Sequence, residues 1–156
     1  MFSRASLNAG LEYQHESLKG MIAGLTDEQI RREVLAGKWS IFENIAHLAT
    51  YQHAFLQRIS RIVNEQNPVF GRYNAESDPL FHDYCTRTTK AILDDLVITR
   101  NELVSDIRSL DDDTMLRTGE HPVFGKMNLL QWLNFFLLHE AHHLFTIFKL
   151  MPGLRE

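Results

Sequence analysis

Cysteine is nearly missing from this chain: Cys85 stands alone among 156 residues. No internal disulfide can form, so a reducing cytoplasm is the expected setting. Cys85 itself reads as a small buried filler in preference to a reactive thiol. Positive charge is sparse and scattered, with 16 Lys and Arg against 20 Asp and Glu and a formal net charge of −4. Without a basic run there is no electrostatic footprint for DNA or RNA, and neither is expected as a partner. The N-terminal stretch "MFSRASLNAGLEYQHE" lacks a basic region followed by an unbroken apolar run, so it does not read as a signal peptide. The longest greasy segment, Leu129 to Leu150, is interrupted by Asn134, His139, Glu140, His142, His143 and Lys149, too many costly groups for a membrane span. Sustained apolar-polar alternation between turn residues is also lacking, and no strands are expected.

What is present is helical periodicity. The composition, 44% hydrophobic and 23% charged, suits one globular domain over residues 1–156. A first helix over about residues 3–24 places Leu7, Leu11, Leu18, Ile22 and Leu25 on one face, and Thr26 with Gln29 suggests a short capped turn after it. A second, from about Ile41 to Asn64, opens with a Ser40/Glu43 capping box. It carries Ile41, Ile45, Leu48, Phe55, Ile59 and Ile62 inward, with Gln57, Arg58 and Arg61 outward. The loop "NEQNPVFGRYNAESDP" follows, long enough to border a site or an interface. A third helix, from about Phe81 to Leu110, buries Cys85, Ile92, Leu96, Leu103, Ile107 and Leu110 and leaves Asp94, Asp95 and Arg100 solvated. After the linker "DDDTMLRTGEHPVFGK", Asn128 and Gln131 cap a fourth helix that Pro152 and Gly153 end near Leu150. The expected fold is all-α, a four-helix bundle with long connecting loops.

Residues 137–145, "LLHEAHHLF", set polar groups into that last helix. His139 and His143 are spaced i, i+4, so their rings share one face with Trp132, Phe136 and Leu150. Two buried imidazoles need partners, and a divalent metal serves both; ordinary core histidines bonded to polar neighbours are the alternative. His142 points elsewhere, toward solvent. The string also satisfies H-E-x-x-H, but Thr146 and Lys149 stand where the longer zinc-protease form requires Gly and His. The sole metal-binding residue type after His143 is Glu156, so a peptidase is disfavoured. A third ligand must come from upstream, from among His15, His47, His53, His82 and His121.

Taken together, "GKWSIFENIAHLATYQHAFLQRI" and "HPVFGKMNLLQWLNFFLLHEAHHLFTIFKL" resemble the DinB-like superfamily of bacterial metalloenzymes, which includes the YfiT-type proteins. The likeness lies in Trp39-Ser40 opening helix two, a histidine seven residues after that serine, the Pro-x-x-Gly before helix four and the His-x-x-x-His within it. It implies a divalent ion, zinc or nickel, held by His47, His139 and His143, with positions left open for water or a small-molecule substrate. It also implies a metal-dependent enzyme of hydrolase or thiol S-transferase type, the latter using a low-molecular-weight thiol. On a helical wheel His47 lies about 130° from the centre of its helix's apolar stripe, which suits a site at the rim of the bundle; His53 is the fallback ligand.

Glu140, next to a ligand, is the candidate catalytic base, with a salt bridge to a neighbouring helix as an equal reading. Tyr51, His15 and His82 are candidates to line the site, and Glu43 is better explained by its capping role than as support for His47. Two other functions compete. Glu12/His15 and Glu140/His143 repeat the E-x-x-H of di-iron bundles, though on the wrong pair of helices. A non-catalytic binding or stress-response module is the other, dimerising through Phe70, Tyr73, Phe81 and Phe124.

Overall fold

Three helices of this chain begin at capping boxes that the sequence indicates, at Thr26, Ser40 and Asn128. The structure, a computed structural model, describes residues 3–154; Glu156 and the first two residues of the N-terminal stretch lie outside the described residues. Helix α1 (Arg4–Tyr13) starts at Ser3, whose Oγ accepts the Ser6 N–H at 3.1 Å. Helix α2 (Glu16–Ile22) follows after a two-residue break, and the short α3 (Asp27–Arg31) carries the Thr26/Gln29 capping box. Helix α4 (Ile41–Asn64) opens with Ser40 Oγ accepting from Glu43 N–H at 3.2 Å, while Glu43 Oε2 accepts from Ser40 N–H at 2.8 Å. Both orphan donors are thereby satisfied.

Helix α5 (Pro79–Cys85) and helix α6 (Thr89–Ser109) come next, then the single turn α7 (Asp112–Met115). Strands β1 (Thr118–His121) and β2 (Gly125–Asn128) form an antiparallel hairpin whose turn closes on Gly125 at φ 69°, a left-handed conformation that suits glycine. Helix α8 (Leu129–Leu150) follows at once, capped by the Asn128/Gln131 box. The four rods of the bundle are α1 with α2, α4, α6 and α8.

Three expectations need correction. The first helix is not continuous: the Leu11 carbonyl accepts from Arg100 Nη1 at 3.1 Å, and beyond the break the ladder tightens to i→i+3 bonds from Ser17 to Gln14 and Leu18 to His15. The third helix is likewise two, because Thr88 caps a fresh start by accepting the Ala91 N–H. A small sheet also exists, its four-residue strands too short for alternation to register.

The core falls into two apolar clusters. One gathers Leu18, Ile41, Ile45, Leu48, Ile92, Leu96, Leu144 and Ile147; the other gathers Leu11, Phe55, Ile62, Leu103, Trp132, Phe136 and Leu137. Between the two, each rod contributes polar side chains: His15, Gln52, Arg100, and His139 with Glu140. The bundle is thus crossed at mid-height by a polar layer, to which His139 of the candidate site belongs. Cys85 is half buried, and burial raises its thiol pKa, which matches a packing role. Among the described residues, no helix is long and apolar enough to cross a membrane.

Candidate metal centre

Helix α4 brings His47, and one face of α8 brings His139 and His143, to a common point. One ring nitrogen from each lies within 4.8 Å of the other two, and Nε2 of His47 stands 3.0 Å from Nε2 of His139. Zinc–imidazole bonds of about 2.0–2.1 Å allow two nitrogens on one ion to be up to roughly 4.2 Å apart, so the closest pair already fits. The Nδ1 atoms of His47 and His139 are buried without a hydrogen-bond partner. Two Nε2 atoms 3.0 Å apart must share either a proton or a cation, and with nothing accepting or donating at either Nδ1 both rings can carry their proton there and turn both Nε2 lone pairs to a cation. The donor set therefore fits a divalent cation.

His143 is fixed from behind. Asn44 Nδ2 donates to the Ser40 carbonyl at 2.8 Å, which turns Asn44 Oδ1 toward His143 Nδ1 at 2.9 Å. An amide oxygen only accepts, so His143 carries its proton on Nδ1 and presents the Nε2 lone pair to the cluster. The chain of bonds runs from the Ser40 cap through Asn44 to a candidate ligand, a part for Asn44 that helical periodicity does not reveal.

Protonation is opposed throughout. Burial lowers the imidazole pKa of His47 to about 3, with the neighbouring His143 adding to the effect. Burial and the surrounding histidines take His139 to about 2, and burial with the nearby His142 takes His143 to about 4. All three are neutral at pH 7, the form that ligates metal.

The three rings form part of the wall of a cleft of about 620 Å³ that also includes Trp39, Tyr51, Tyr73, His121 and Phe135. Trp39 packs at 5.2 Å from both His47 and Phe81. The Tyr51 ring centroid is 4.2 Å from that of His139, and burial pushes the Tyr51 phenol up to about 12, so it remains a hydrogen-bond donor.

The remaining sequence candidates lie elsewhere. His53 meets Asp95 and the Tyr84 hydroxyl; His15 Nδ1 faces Arg100; His82 is exposed and bonded to the Glu76 carbonyl. His121 borders the cleft, its Nδ1 accepting from the backbone of Val123 and Phe124. His142 is exposed, as expected. Glu140 is buried away from the cleft, where it pairs with Arg100 and accepts from Gln14 Nε2 at 2.8 Å. Arg100, expected in solvent, is 1% exposed, because Glu140, Gln52 and the Leu11 carbonyl satisfy its guanidinium.

Neither E-x-x-H pair contributes a carboxylate to the cluster, since Glu12 pairs with Arg108 at 2.6 Å. Of the aromatic residues considered for self-association, Phe70 and Phe81 are in the core, Tyr73 borders the cleft and Phe124 is exposed.

Known proteins echo this architecture. Residues 11–147 match the DinB superfamily. A protein of Oceanobacillus iheyensis named "Putative metal-dependent hydrolase" is 27% identical over 134 residues, covering 85% of this chain and 77% of its own. YuaE of Bacillus subtilis, uncharacterized, is 28% identical over 79% of this chain and 83% of its own. Among solved structures, YfiT of Bacillus subtilis, described as a probable metal-dependent hydrolase with an unusual four-helix bundle topology, superposes with a TM-score of 0.81. It is 23% identical, over 96% of this chain and 88% of YfiT. TT2238, a four-helix bundle protein, superposes with a TM-score of 0.70 at 19% identity, over 94% and 99% of the two chains. At those identities the solved structures bear on the fold alone.

Proposed function

This chain belongs to the DinB superfamily, and from that premise we propose that it is a metal-dependent enzyme in which His47, His139 and His143 hold one divalent ion, zinc or nickel, at the wall of the cleft. The observation that carries this reading is the convergence of three neutral imidazoles on one point beside a cavity. Three protein ligands leave coordination positions free, and a bound ion there supplies Lewis acidity and lowers the pKa of water or of a thiol. Hydrolysis of a small molecule is the favoured reaction class, since it is the activity in the name of the Oceanobacillus relative. Transfer to a low-molecular-weight thiol is the second reading for the same donor set, since metal coordination also favours a thiolate. Asn44 holds the His143 tautomer, and Tyr51 offers a neutral O–H to a substrate oxygen. Glu140, committed to Arg100, organises the bundle and takes no proton from substrate. The single cysteine agrees with a cytoplasmic setting.

Elemental analysis of untagged protein beside three variants tests the site. Wild type and His142→Ala are expected to retain about one ion per chain, and His47→Ala and His143→Ala to lose it. If wild-type protein takes up neither zinc nor nickel and its melting temperature ignores both, the chain is a helical binding module instead.

A further inference from the structure

The cleft wall has a feature that metal binding does not explain. The chain carries a net charge of −4, yet the residues bordering this cleft include Arg58 and Arg72 and no carboxylate. Six other arginines, Arg4, Arg31, Arg61, Arg87, Arg100 and Arg108, each pair with a carboxylate. These two do not: among the described residues Arg72 makes no hydrogen bond or ion pair, and the polar contacts of Arg58 are the Gly71 carbonyl at 3.1 Å and the Tyr51 hydroxyl at 3.5 Å. A guanidinium has five N–H donors, so most remain free in both.

The fold holds Arg58 and the backbone leading to Arg72 in place. Phe70 N–H donates to the Glu120 carbonyl at 3.0 Å and Glu120 N–H donates to the Pro68 carbonyl at 2.8 Å, which staples the segment before Arg72 to strand β1. Arg58, rising from α4, then ties down Gly71, the residue next to Arg72. Its guanidinium carbon also lies 5.6 Å from the ring centroids of both Phe70 and Trp132. A loop anchored at three points and ending in an unpaired cation on a cavity wall is a built feature, not a solvated tail.

Resting on the reading of the cleft as a metal-dependent site, we propose that its substrate is a small organic anion whose carboxylate, or comparable oxyanion, is bound by Arg58 and Arg72. The forked guanidinium matches the paired oxygens of such a group. The aromatic rings of Trp39, Tyr51, Tyr73 and Phe135 receive its apolar body. A cleft lined by cations and free of carboxylates also concentrates anions, although the protein as a whole repels them.

Benzoate and benzamide have nearly the same shape and differ in charge, which makes them the probes. Calorimetric titration into zinc-saturated protein is expected to show benzoate binding at least about 10-fold more tightly. The preference should persist in chelated protein, because the arginines do not need the ion. Arg72→Gln, at an exposed position, should reduce it several-fold with zinc content unchanged, and the Arg58→Gln/Arg72→Gln double variant should abolish it. Equal binding of the two probes overturns the proposal. So does a benzoate preference that vanishes on chelation and ignores Arg72→Gln, since the carboxylate would then be held by the ion alone. Failure of wild-type protein to take up zinc refutes the metal site instead, and the probe comparison on metal-free protein still decides this one.

Discussion

Removing the Glu140 carboxylate should cost much of the stability of this protein and none of its metal. Glu140 is 1% exposed, as is Arg100, and the two are directly ion-paired. Gln14 Nε2 donates to Glu140 at 2.8 Å, Arg100 Nε donates to Gln52 Oε1 at 2.5 Å, and Arg100 Nη1 to the Leu11 carbonyl at 3.1 Å. Glu140→Ala leaves the guanidinium charged and out of reach of water, a situation that costs about 3–5 kcal/mol. An unfolding entropy of about 2.1 cal/mol/K per residue gives roughly 0.33 kcal/mol/K for a chain this long, so the melting temperature should fall by about 9–15 °C. Calorimetric melts at pH 7, with metal content measured on the same samples, check both parts. The double substitution Arg100→Met/Glu140→Leu removes both charges and should recover most of the loss, since apolar replacement of a buried pair is often neutral. If Glu140→Ala melts within about 2 °C of wild type and instead loses turnover, the carboxylate serves chemistry, and the account of the polar layer fails.

Other consequences can be measured on the same protein. Chelation of metal-loaded protein should lower its melting temperature by about 8 °C where metal had been present at 100 times Kd, from the roughly 2.7 kcal/mol that binding contributes; an unchanged melt argues against a bound ion. Asn44→Ala should weaken metal binding by about 10- to 100-fold, because His143 loses the acceptor that sets its tautomer; unaltered affinity in competition with a chromogenic chelator would refute that role.

In metal-free protein, His47, His139 and His143 titrate at about 3, 2 and 4 against 6.5 when unfolded. The unfolded chain therefore takes up protons that the folded chain refuses. Stability from these rings is complete above pH 6.5 and declines as pH falls from there through the folded values, about 4 for His143, 3 for His47 and 2 for His139, by up to ~1.4 kcal/mol per ring per unit. Melts at pH 7 and pH 5 should show the drop, and equal stability at both would contradict the burial of these rings. Ser40→Ala should cost about 1 kcal/mol in urea unfolding through the lost cap and leave metal affinity unchanged, because Asn44 bonds the Ser40 backbone carbonyl, which alanine keeps.

The order and type of the long helices were legible because capping boxes and apolar periodicity are local: Ser40/Glu43 and Asn128/Gln131 need no tertiary partner to mark a helix start. The i, i+4 spacing of His139 and His143 was legible for the same reason, as was the outward face of His142. The breaks were not. An arginine from a different helix takes the Leu11 carbonyl, and no window around residues 3–24 contains that arginine.

Sequence by itself determined the all-helical rods, the shared face of the two late histidines and, through family likeness, His47 as their companion. Tertiary structure alone decided that Arg100 is buried, that Glu140 is its partner, that Asn44 orients His143, and that Arg58 and Arg72 meet at one cleft. The physical reason is that burial and pairing of a charged side chain depend on groups dozens of residues away, whereas a helix cap or a helical face depends on the next turn.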